Sequence, residues 1–75
     1  MNEFPSKAIV ESLRRQYPAG TKVRLVSMDD PYAPLVGTIG EVLGVDDAGS
    51  ILVKWSNNSL LSVIFGVDEV RKIDE

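Results

Sequence analysis

The stretch GTIGEVLGVDDAGSILVKW, residues 37–55, decides the fold of this chain. It contains two apolar runs separated by the polar segment Asp-Asp-Ala-Gly at residues 46–49. Ile51, Val53 and Trp55 fall on one face of the second run, because successive side chains of a strand point to opposite faces. The glycine that ends the polar segment permits a tight turn. The stretch therefore predicts a β-hairpin with one apolar face.

Shorter β-type runs lie on both sides of this hairpin. Residues 21–26 precede it, and residues 59–65 and 70–73 follow it. Glycines inside the first run of the hairpin favour the bends that close a small sheet on itself. We therefore predict a mainly β chain of 75 residues in a single domain, with a small five-stranded SH3-like barrel over about residues 20–74. The predicted core consists of Val23, Leu25, Ile39, Val42, Ile51, Val53, Trp55 and Val63.

The N-terminal part of the chain predicts one α-helix at about residues 6–16. Ser6 is a suitable N-cap, and Pro18 and Gly20 favour an end to the helix shortly after residue 16. The apolar residues at helical spacing are Ile9, Val10, Leu13 and Tyr17. We expect this apolar face to pack either on the barrel or on a second copy of the chain in a homodimer.

The residue inventory excludes several kinds of chemistry. The chain has no cysteine and no histidine, so a thiol nucleophile, a cysteine zinc site and the commonest general base are impossible. The acids at residues 29–30 and 46–47 are sequence neighbours in predicted loops, so we expect their side chains to diverge into solvent. General acid–base catalysis requires buried carboxylates instead. The segment at residues 46–50 lacks the alternating ligands of a calcium loop. We therefore expect no enzymatic activity, no cofactor and no metal.

The chain also lacks the signals of membrane insertion and export. No apolar run reaches the ~20 residues of a membrane helix. The N-terminus does not show the basic and then apolar order of a signal peptide. We therefore expect a cytoplasmic protein that does not enter a membrane.

The charge is unevenly distributed along the chain. The net charge of −3 and the pI of about 4.8 argue against a nucleic-acid partner, because phosphate contacts supply most non-specific affinity. The N-terminal third is nevertheless basic, and its candidate patch consists of Arg14, Arg15, Lys22 and Arg24. A nucleic-acid-associated barrel that uses this patch is the alternative function. Arg14 and Arg15 equally suit the C-terminal end of a helix dipole.

The loop after the first predicted strand is the candidate site for a protein partner. Its candidate contact residues are Asp29, Asp30, Pro31, Tyr32, Pro34 and Leu35. Prolines reduce the entropy lost when a loop is ordered by binding, and a tyrosine is a common binding hot spot. The two acids favour a basic partner. The alternative is that Tyr32 and Met28 fold back over an opening of the barrel.

In the run at residues 17–74, five short motifs lie between residues 17 and 55. They are Tyr-Pro-Ala-Gly-Thr (17–21), Met-Asp-Asp-Pro-Tyr (28–32), Gly-Thr-Ile-Gly (37–40), Val-Asp-Asp-Ala-Gly (45–49) and Val-Lys-Trp (53–55). Together they resemble the signature of a family of small bacterial domains of unknown function, which also occur in phages and other mobile elements. Two departures are Ser-Asn-Asn-Ser at residues 56–59, where the family has Asp-Asn-Gly, and Leu35-Val36, where relatives carry another proline.

The resemblance implies a small β-barrel and no established activity. Mobile elements often encode small proteins that modulate host or defence proteins. The function is therefore predicted from the residues: the lack of catalytic groups and the apolar loop after the first strand predict a non-enzymatic protein-interaction module, which in a mobile element would act on such a host or defence protein.

Overall fold

The computed structural model describes residues 5–73, in which it contains one helix and one antiparallel sheet. The elements are α1 (Lys7–Gln16), β1 (Lys22–Ser27), β2 (Ile39–Val45), β3 (Ile51–Trp55) and β4 (Glu69–Lys72). The strand order across the sheet is β3-β2-β1-β4. The mainly β class and the single N-terminal helix, capped by the Ser6 side chain, are confirmed.

The predicted strand at residues 59–65 forms only an isolated bridge, in which Ile51 and Val63 exchange backbone hydrogen bonds of 2.9 and 2.8 Å. Between the two ends of this segment, the indole Nε1 of Trp55 donates to the carbonyl of Leu61 at 2.9 Å. The indole of Trp55 thus occupies the Leu61 carbonyl, which the backbone N–H of a paired strand would otherwise use. The predicted five-stranded SH3-like barrel is therefore not observed, and residues 5–73 contain an open four-stranded sheet.

The core lies on one face of this sheet, which we call the inner face. Its buried cluster consists of Val23, Leu25, Val42, Ile51, Val53, Trp55 and Val63. The prediction that Ile39 belongs to the core is wrong, because Gly40 faces inward and Ile39 lies half-buried on the outer face. A Cβ added to Gly40 would lie 2.5 Å from Val53 Cγ1 and 2.7 Å from Trp55 Cε3. The glycine therefore makes room for the indole ring.

Helix α1 packs on its own chain beside the turn between β2 and β3. Val10 and Leu13 are buried, whereas Ile9 is 37% exposed. Arg14 donates from Nε to the carbonyl of Val45 at 3.2 Å and forms an ion pair with Asp47 at 2.7 Å. The apolar face of α1 thus packs on its own chain. Among residues 5–73 there is no helix with the length and apolar character needed to cross a membrane.

Candidate functional site

The loop between β1 and β2, residues 28–38, is shaped by two consecutive tight turns. In the first turn the Ala33 N–H donates to the Asp30 carbonyl at 3.0 Å, and the Tyr32 N–H donates to Asp30 Oδ1 at 2.7 Å. In the second turn, the N–H and Oγ1 of Thr38 donate to the Leu35 carbonyl at 3.0 and 2.6 Å. The loop therefore has an internal hydrogen-bonding framework of its own.

Both ends of the β1–β2 loop are fastened to the rest of the fold. At one end, the Asp29 N–H donates to Asp68 Oδ1 at 3.0 Å. At the other end, the Gly37 N–H donates to the Leu25 carbonyl at 2.8 Å. Pro34, between the two turns, is buried. The loop is thus held by a hydrogen bond at each end and by the buried Pro34, which leaves its exposed side chains free to contact a partner.

Three large apolar side chains project from the loop into solvent. Tyr32 is 82% exposed, Leu35 is 85% exposed and Val36 is 73% exposed. We call these three residues the apolar tip. Tyr32 therefore does not fold back over the core, as the alternative prediction required. Met28 does pack against the core cluster.

The structure places the predicted contact residues of the loop in two groups. Asp29, Asp30 and Pro31 are exposed beside the apolar tip. Pro34 is buried, so in this structure its side chain is not presented for contact with a partner. Val36 belongs to the tip and was not predicted from the sequence. The apolar run that immediately precedes the glycine at residue 37 is the signal that could have identified it.

A second exposed apolar segment is tied to the same loop. It is the turn at residues 64–68, in which Ile64, Phe65 and Val67 are about half exposed. Asp68 Oδ2 accepts a hydrogen bond from the Ile64 N–H at 2.9 Å, while Oδ1 of the same carboxylate accepts the bond from Asp29. One carboxylate therefore joins the loop to this turn.

The predicted basic patch is divided between different parts of the fold. Arg14 is engaged with Asp47, and Arg15 is exposed elsewhere on α1. Lys22 forms an ion pair with Glu41 at 2.9 Å, with both side chains about half exposed. Arg24 lies on β1 and is exposed. The four cations thus lie on two elements, α1 and β1, and two of them are engaged in ion pairs.

The acidic turn between β2 and β3 has a structural explanation. Asp46 Oδ1 accepts hydrogen bonds from the N–H groups of Ala48 at 3.0 Å and Ser50 at 2.9 Å. Gly49 has a φ of +82°, the left-handed conformation that glycine adopts readily. Within residues 5–73, no group of three or more acidic side chains is placed to hold a metal ion.

Comparison with known proteins identifies the domain. A family model described as "Domain of unknown function (DUF4314)" matches residues 6–73. The chain belongs to the DUF4314 family. The match includes α1 as well as the four strands, so the helix is part of the DUF4314 domain and not an appendage to it. No curated protein and no solved structure matches the chain.

Proposed function

We propose that this DUF4314 domain is a non-enzymatic protein-interaction module that binds its partner through the apolar tip. A single observation carries the proposal: Tyr32, Leu35 and Val36 are each at least 73% exposed on a loop whose backbone is hydrogen-bonded at both ends. The chain therefore exposes apolar side chains on a loop whose backbone is already ordered by hydrogen bonds.

The energetics of this arrangement suit binding. Apolar side chains gathered on an exposed loop stay in contact with water in the free protein, and covering them is favourable. The hydrogen bonds of Asp30, Leu35 and Asp68 order the loop before any partner arrives. Binding then loses less conformational entropy than it would on a flexible loop. Tyr32 has the size and the polar end that binding hot spots share.

The neighbouring charges define the chemistry of the partner. Asp29 and Asp30 are exposed beside the apolar tip, so a partner segment with apolar and basic side chains would be complementary. The resemblance to domains found in phages and mobile elements supports a cytoplasmic host or defence protein as the source of that segment.

Affinity capture with matched variants tests this proposal. The wild-type chain, a Tyr32→Ala/Leu35→Ala variant and a Leu60→Ala control are immobilised, and proteins retained from a lysate of the source cell are quantified. Leu60 is a suitable control because it is 66% exposed but lies outside the loop. We expect the wild type and the control to retain the same proteins, and the double variant to retain at least about tenfold less of them. Equal retention on all three would contradict the proposal.

A further inference from the structure

The outer face of the sheet, opposite the core, brings two arginines together. In the antiparallel pairing of β1 with β4, Arg24 lies directly opposite Arg71. Both residues are exposed, and both alternate with inward-facing neighbours such as Leu25 and Val70. Like charges directly opposite each other on a sheet are destabilising. The fold therefore holds two guanidinium groups in an arrangement that its own stability does not favour.

The carboxylates of the described residues do not neutralise this pair. Within residues 5–73, the ion pairs shorter than 4.0 Å are Arg14–Asp47 and Lys22–Glu41. Glu69, two positions before Arg71 on β4, forms no ion pair of that length. The two guanidinium groups thus face solvent without an anionic partner from this part of the chain.

The arginine pair also lines a concave site. A cavity of about 240 Å³ is lined by Arg24, Arg71, Lys72 and Ile73. Arg24 and Arg71 supply the outward-facing charge of this site, whereas the ammonium of Lys72 lies over the Tyr17 ring, 5.1 Å from its centroid. None of the lining residues is acidic. Guanidinium groups bind phosphate oxygens through paired N–H donors, so two adjacent arginines match a single phosphate group well.

The cations extend beyond this cavity along the outer face. Strand pairing places Lys22 opposite Glu41, and Glu41 opposite Lys54, in the row next to the arginines. Lys22 is paired with the carboxylate of Glu41 at 2.9 Å, so Lys54 is the further cation that this row adds to the two arginines. An open surface with several separated cations suits a chain of phosphates better than one phosphate group.

We propose that the outer face of this sheet binds the phosphate backbone of a nucleic acid, with Arg24 and Arg71 as its centre. Trp55 is the aromatic residue of the four strands, and it is buried on the inner face, so the outer face offers no ring for stacking on bases. Binding is therefore independent of base sequence. This site does not depend on the apolar tip, and it replaces the divided patch that included Arg14 and Arg15.

Fluorescence anisotropy with labelled oligonucleotides tests the proposal. A duplex DNA and a single-stranded RNA are titrated with the wild-type chain at several salt concentrations. We expect the logarithm of the affinity to fall linearly with the logarithm of salt concentration. In the Arg24→Gln/Arg71→Gln variant, affinity should fall at least tenfold at low salt, and the magnitude of the salt slope should drop by about two, one for each lost phosphate contact.

A control with the same change in net charge separates binding at this site from non-specific electrostatic attraction between the chain and the oligonucleotide. Lys7 and Arg15 are exposed on α1, outside the outer face, so Lys7→Gln/Arg15→Gln removes two charges elsewhere. This control should bind as the wild type does. Equal loss in both double variants, or no binding to either oligonucleotide at low salt, would overturn the proposal. Polyglutamate that binds as tightly as the oligonucleotides would overturn it in favour of an acidic protein partner.

Thermal unfolding distinguishes anion binding from a structural role of the arginines, because the two predict opposite changes in the unfolding temperature. Replacing Arg71 by Gln removes the like-charge contact with Arg24, so the unfolding temperature should rise by about 1–4 °C at low salt. A fall in the unfolding temperature would show that the pair stabilises the sheet, and it would contradict the inference that the arginines are placed for an anion.

Discussion

The carboxylate of Asp68 accepts a hydrogen bond from the backbone N–H of Asp29 at 3.0 Å, across 39 positions of the chain. Its other oxygen accepts a bond from the Ile64 N–H at 2.9 Å. The turn before β4 therefore supports the loop that carries the apolar tip. This contact links the proposed binding surface to the stability of the fold.

Replacing Asp68 should loosen the β1–β2 loop. In Asp68→Ala the N–H groups of Asp29 and Ile64 lose their acceptor, so the free energy of unfolding should fall by about 1–2 kcal/mol. Asp68→Asn keeps one acceptor oxygen and should lose less. Chemical denaturation measures the free energy, and hydrogen exchange reports the two amides directly. Unchanged exchange at both amides in Asp68→Ala would show that the carboxylate does not hold the loop.

Trp55 should dominate the stability of the core. It is 1% exposed, and truncating a buried tryptophan to alanine typically costs about 3–5 kcal/mol. Trp55→Phe keeps most of the apolar volume but loses the hydrogen bond to the Leu61 carbonyl, so its effect should lie between the wild type and alanine. Thermal unfolding measures all three chains. Near-native stability of Trp55→Ala would contradict the core described here.

Sequence patterns predicted the elements whose side chains alternate or follow helical spacing. The pattern of Ile51, Val53 and Trp55 predicted β3 correctly. The apolar run at residues 59–65 looked like a strand, but there the indole of Trp55 takes the Leu61 carbonyl. A side chain that competes for a backbone acceptor leaves no mark on the periodicity of a sequence.

The inner face of β2 could not be read from hydrophobicity. Gly40 occupies the core position because Trp55 fills the space beside it, while the apolar Ile39 faces outward. A hydrophobicity pattern assigns the core position to Ile39, the larger and more apolar of the two residues.

The pairing of Arg24 with Arg71 could not be read from the sequence either. It depends on β1 and β4 being neighbours, which is a long-range property of the fold.

Gly40 should not tolerate a side chain. An added Cβ would approach Val53 Cγ1 at 2.5 Å and Trp55 Cε3 at 2.7 Å, so one of these buried groups must move. We expect Gly40→Ala to lower the free energy of unfolding by about 1–3 kcal/mol, as overpacked cores do. Glu41→Ala, at the adjacent exposed position, is the control and should change it by less than about 1 kcal/mol. A Gly40→Ala chain as stable as this control would disprove the close packing.

Two helix substitutions test how α1 contributes to the fold. Leu13 is buried, so Leu13→Ala should lower the free energy of unfolding by about 2–5 kcal/mol. Ile9→Ala, at a residue that is 37% exposed, should cost clearly less if the chain is a monomer. Denaturation and light scattering are measured on both variants. An Ile9→Ala change that converts a dimer to a monomer would instead identify the helix as a dimer contact.

The binding free energy of the Tyr32→Ala variant for the captured partner tests the central claim most directly. Tyr32 is 82% exposed and supports no core contact, so its removal should leave the free energy of unfolding within about 1 kcal/mol of wild type. Titration calorimetry should then show binding weakened by about 1–3 kcal/mol, as for a hot-spot residue. A Tyr32→Ala chain that folds and binds its partner with unchanged affinity would contradict the apolar tip as the recognition surface.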